Sequence, residues 1–110
     1  MALVTTDEAK AYLRVDTADE DALIASLLAA SENLCIDVAR LEKEQWKDID
    51  SDKTYSKNYS KTEMAYIRET LRIAIMYAVG YLFEHREEAD HHDLTLTLRS
   101  LLFSIREGVI

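Results

Sequence analysis

Thr5 and Glu8, Thr17 and Glu20, and Ser60 and Glu63 each place a hydroxyl three positions before a glutamate, just ahead of an apolar helical pattern. At that spacing the hydroxyl accepts from the free amide at the third helical position, while the carboxylate accepts from the cap amide. Each pair therefore predicts a helix start. The turn chemistry of other folds is missing. There is no proline, and the two glycines are Gly80 and Gly108, too few for an all-β protein or a glycine-rich phosphate loop. The expected fold is all-α.

Apolar spacing fills in the elements. A short helix over roughly Thr6 to Arg14 offers Ala9, Tyr12 and Leu13 to the core. A longer one after Thr17 carries Leu23, Ile24, Leu27, Leu28, Ser31, Leu34, Cys35, Val38 and Leu41 at intervals of three and four, which is one helical face. Asp19, Glu20 and Asp21 crowd its first turn, where the positive end of the helix dipole favours them. Nothing between Arg40 and Trp46 forbids its continuation to about Trp46.

From Glu42 to Lys61 the chain turns polar, and Asp48 to Tyr59 reads as a long loop or mobile arm with Trp46 at its base. Tyr55 and Tyr59 within it suit a segment that orders against a neighbour. The longest apolar helix is expected from Lys61 to Glu88, with one stripe of Met64, Ile67, Leu71, Ala74, Ile75, Ala78 and Leu82. Tyr66, Ile73, Tyr77 and Phe83 make a second. A helix apolar on two faces must bury two faces, and so few other elements cannot easily cover both, which points to a neighbouring subunit. Gly80, about 1 kcal/mol worse than alanine inside a helix, suggests close backbone approach. Leu98, Leu101, Leu102 and Ile105 predict a last helix from about Thr95 to Arg106, with a short strand over Leu94–Leu98 as the alternative. The whole chain, 1–110, is expected to be one domain: a bundle of about four helices (short, long, long, short) with the polar loop between the second and third.

A net charge of −8 argues against a free-standing nucleic-acid binder, which needs clustered lysine and arginine. The single cysteine, Cys35, lies on the apolar face and reads as a small core residue in a reducing compartment. The longest uncharged run, Ile73 to Phe83, is well short of the roughly 20 residues of a spanning helix. No membrane association is expected, and the chain is expected to stay in the cytoplasm unless packaged into something larger. Glu84, His85, Glu88, His91 and His92 cluster in sequence but match no metal signature such as HExxH. A helical metal-dependent hydrolase would need paired carboxylates from two helices, and only Glu84 and Glu87 form such a pair. No serine or cysteine comes with a histidine and carboxylate set. The expectation is a non-enzyme with no catalytic residue, cofactor or metal. A small acidic interaction regulator is the alternative, with a metal-dependent hydrolase behind it.

Four blocks in order, TTDEAKAYLRVD, DEDALIASLLAA, AVGYLFEHRE and LLFSIR, carry a likeness to a known family. The chain resembles the phage gp6-like head-tail connector proteins. The likeness rests on Glu8 to Lys10 and Tyr12 to Asp16, then Asp19 to Ile24 with Leu27, Ala29 and Ala30. It continues through Tyr81, Glu84, Arg86 and Glu87 to Leu101, Leu102 and Arg106. Ser104 and Ile105 replace the family's usual Pro-Tyr, and the segment from Glu42 to Tyr59 looks long. The resemblance implies a structural virion protein forming a ring between portal and tail in head completion and DNA packaging. Its implied partners are itself (in a ring matching the portal's symmetry), the portal protein, and a tail-side head-completion protein. Packaged DNA would pass through without sequence-specific binding. It would reside at the head-tail junction, and in the host cytoplasm during assembly. On this reading the subunit or partner interface includes Tyr55, Tyr59, Tyr66, Ile73, Tyr77, Gly80, Phe83 and Ile105.

Overall fold

The computed structural model describes residues 3–51, 57, 59–85 and 92–107. Six helices follow in order: α1 (Thr6–Leu13), α2 (Asp21–Ala39), α3 (Lys43–Ile49), α4 (Lys61–Glu84), α5 (His92–Leu101) and α6 (Phe103–Glu107). The described residues contain no strand, so Leu94–Leu98 is helical. The long pair α2 and α4 forms the body, with α1, α5 and α6 packed around it and α3 against α4. Ile24, Leu28 and Cys35 of α2 meet Met64, Ile67, Leu71, Ala74, Ile75 and Ala78 of α4 in one core. Leu94, Leu98, Leu102 and Ile105 close it from the C-terminal side.

Two of the three capping boxes form. Thr5 Oγ1 accepts from the Glu8 amide at 3.1 Å, and Ser60 Oγ from the Glu63 amide at 3.2 Å. Each glutamate returns a bond to its cap amide. The Thr17 box does not open α2, which starts at Asp21 with Glu20 at the N-cap and no side-chain bond to the cap amides. Residues 14–20 are used up in reversing the chain, and a 2.6 Å ion pair from Lys10 to Asp21 closes that reversal. Of the three expected acids, Asp21 alone lies in the first turn.

Helix α2 also stops earlier than its pattern predicts. Arg40 adopts a left-handed conformation (φ 57°), and the Leu41 amide donates back to Ile36 O at 3.1 Å. Helix α1 ends identically, with Arg14 at φ 60° and Val15 donating to Lys10 O. Glycine usually fills this position; here arginine does, so no residue type flags the stop. Beyond it the polar stretch forms α3, which takes in Asp48 and Ile49, the expected start of the arm. Gln45 accepts from the Glu42 amide at 2.9 Å, Ile49 is buried, and Trp46 packs on the core. Arg68 holds the far end, donating to Ile49 O at 2.8 Å and Ser51 O at 2.6 Å. Its guanidinium satisfies carbonyls that a helix end otherwise leaves open.

Other expectations shift by a residue or a face. Tyr12 is 52% exposed and not a core residue. The last helix divides at Leu102 into α5 and α6, and Leu101 is exposed while Leu102 and Ile105 are buried. The described part of α4 ends at Glu84, with His85 as its cap. Helix α2 has the length and apolarity of a membrane span, yet only 28% of its most apolar window is buried. Its outward positions are mostly alanine (Ala22, Ala25, Ala29, Ala30), which raises hydropathy without demanding burial.

An ion pair ties α1 to α4. Arg72 Nη2 lies 2.6 Å from Glu8 Oε2, and Arg72 also donates to Leu3 O. The hydrogen bond from Arg72 and that from the Thr5 amide hold the Glu8 carboxyl at about 2, against an ordinary 4.5. A depressed folded-state value means the stabilisation is complete above about 4.5 and is lost as pH falls through about 2. With both side chains about a third exposed, solvent screening keeps it below about 1 kcal/mol. Glu8→Gln preserves the capping box and isolates the charge. The stability gap between parent and variant, from denaturant titrations, should shrink steadily across that acid range. A gap independent of pH contradicts this assignment.

Candidate functional site: the outward face of α4

Helix α4 has two apolar faces, and the fold covers one. Met64, Ile67, Leu71, Ala74, Ile75, Ala78 and Val79 are buried. On the opposite side Tyr66 is 46%, Ile73 57% and Tyr77 39% exposed. Their spacings of seven and four hold them in a single row, which Gly80 and Glu84 continue for about 27 Å of helix.

Helix α1 runs beside this row and turns it into a groove. A Cβ built on Gly80 would stand 2.9 Å from Tyr12 Cε2. The glycine is thus explained by close approach, although what approaches is an aromatic ring and not backbone. Tyr12 and Tyr77 line a hollow on each side. One, of about 670 Å³, is walled by Leu13, Arg14, Gly80, Tyr81, Phe83, Glu84 and His85. The other, of about 330 Å³, is walled by Glu69, Arg72, Ile73 and Met76. Tyr81 and His85 stack with centroids 4.2 Å apart, forming a flat aromatic end wall.

The expected interface residues therefore divide. Ile73, Tyr77, Gly80 and Phe83 all border the groove, with Phe83 partly buried on the core. Tyr66 lies on the same row and shares a 2.9 Å hydrogen bond with Ser104 of α6. Tyr59 packs on the core, and burial pushes its phenol up. Ile105 is 8% exposed and belongs to the interior, on the face it shares with Leu98 and Leu102 at spacings of three and four. Tyr55 lies outside the described residues.

Tyr12, Leu96 (47% exposed), Leu101 (37%) and Phe103 (56%) were not expected on the surface. For Tyr12 the signal was its hydroxyl, which favours a position where one edge meets water. The chemistry of this face is contact chemistry. Among the described residues no three histidine, cysteine, aspartate or glutamate side chains gather as a metal would require; Glu88 and His91 of the sequence cluster lie outside those residues. Burial pushes the Cys35 thiol up to about 12, with Glu32 adding to it, so it is no nucleophile.

A family model described as phage gp6-like head-tail connector protein matches residues 4–108. No curated protein and no solved structure matches the chain.

Proposed function

The chain belongs to the phage gp6-like head-tail connector family, and from that premise we propose that its copies form a ring adaptor between portal and tail. The family makes it a structural component of the virion that assembles with other head and tail proteins and oligomerises. The outward row of α4 supplies the seam between copies on this reading. The observation that carries it is the exposure of Tyr66, Ile73 and Tyr77 in one row, opposite the face of α4 that the core buries. Adjacent large apolar side chains left in water mark an association surface.

The ring sits on the portal protein, receives a tail-side head-completion protein, and lets packaged DNA pass. A net charge of −8 suits that passage, since carboxylates do not bind phosphate. The chain folds in the host cytoplasm and is then built into the particle. The test is omission of this chain during phage assembly. DNA-filled heads and complete tails should accumulate unjoined, and supplying the chain should join them. Normal joining in its absence would refute the adaptor role.

A further inference from the structure

The molecule carries a second exposed apolar surface of the opposite shape. Leu96 of α5 and Phe103 of α6, both exposed and seven residues apart, make a ridge of side chains on one side of these helices, whereas the α1–α4 groove is hollow. The two occupy different places. The Tyr66–Ser104 bond sets α6 against the first turns of α4, and the hollows extend from Glu69 to His85. A groove pressed on a copy of itself would face hollow with hollow. A ridge seated in it fills the space.

Charge runs the same way. Arg99 and Arg106 accompany the ridge, and neither pairs with a carboxylate among the described residues. At one end of the groove Glu69 is exposed beside Arg72, whose charge is already committed to Glu8 at 2.6 Å. At the other end Arg14 offsets Glu84. The Glu69 end is therefore the acidic one and suits the ridge's guanidiniums.

We propose that the α1–α4 groove of one copy receives the α5–α6 ridge of the next. The inference rests on the connector reading and specifies which surfaces meet. The contact is heterologous, so each copy keeps a free groove and a free ridge, and the contact repeats until it closes.

The test mixes two single variants of the full chain, Tyr77→Cys and Phe103→Cys, at the highest soluble concentration, with a short thiol-to-thiol cross-linker. Both positions are exposed, and the buried Cys35 stays silent. A covalent dimer of one copy of each should form in the mixture, with at least tenfold less product from either variant alone. Efficient self-linking of Tyr77→Cys would overturn the proposal in favour of a symmetric contact. Linking of Tyr77→Cys to an Ala29→Cys copy instead would overturn it in favour of the small-residue face of α2. Absence of any product overturns it outright. The head-tail joining assay separates the two levels. If joining depends on the chain but the mixed dimer never forms, only the docking scheme fails. If the mixed dimer forms and joining proceeds without the chain, the connector reading fails.

Discussion

Replacing Ile73 and Tyr77 together by aspartate should leave the isolated chain folded and abolish head-tail joining. Both side chains point away from the core, at 57% and 39% exposure. Surface substitutions of this kind typically change stability by about 0.5 kcal/mol or less each. Across an interface the same residues would be central apolar anchors, and truncating such an anchor typically costs about 2 kcal/mol or more. That is roughly thirtyfold per contact, and a closed ring repeats the loss at every seam. The two added carboxylates must also be desolvated in a chain already at −8. Circular dichroism and thermal melting check the fold, and the yield of joined particles checks the function. A variant that joins normally contradicts the assignment of this face.

The opposite face of the same helix should behave in reverse. Leu71 is fully buried where α4 packs on α2. Leu71→Ala removes apolar contacts and leaves a cavity, an expected loss of about 2–5 kcal/mol. Domains of this size carry about 5–15 kcal/mol in total, so a large share of the stability goes. The melting temperature should fall by roughly 10 °C or more. Joining should fail only as far as folded protein is lost, and should recover at low temperature. A change below about 1 kcal/mol would mean that the α2–α4 seam is not the centre of the fold.

These two expectations trace back to what the chain discloses unaided. The Ser60–Glu63 box marks the start of α4, and two apolar rows along one helix announce a buried and an exposed face. Both follow from local geometry: three-residue capping spacing and the 3.6-residue period are properties of the helix itself. What stayed hidden depends on contacts distant in sequence. The Thr17–Glu20 box satisfies the local rule yet loses to a turn locked by Lys10 and Asp21. The stop at Arg40 escapes notice because arginine occupies a conformation that glycine usually announces. Helix α3 passed for the tail of α2 and the start of a loop because its stabilising partners, Arg68 and the core beneath Trp46 and Ile49, lie elsewhere in the sequence. Tyr12 passed for a core residue because its spacing is right for one. Only the packing of α1 beside Gly80 shows it as the wall of a groove.

The account turns on an apolar face that the single chain leaves in water and the assembled particle does not. Hydroxyl-radical labelling of the tyrosines, read by mass spectrometry in the free chain and in finished virions, measures that directly. Tyr12 and Tyr77 should label strongly when free and several-fold less in the particle. Equal labelling of both tyrosines in the two states would mean that the groove meets nothing in the virion, and would contradict the account.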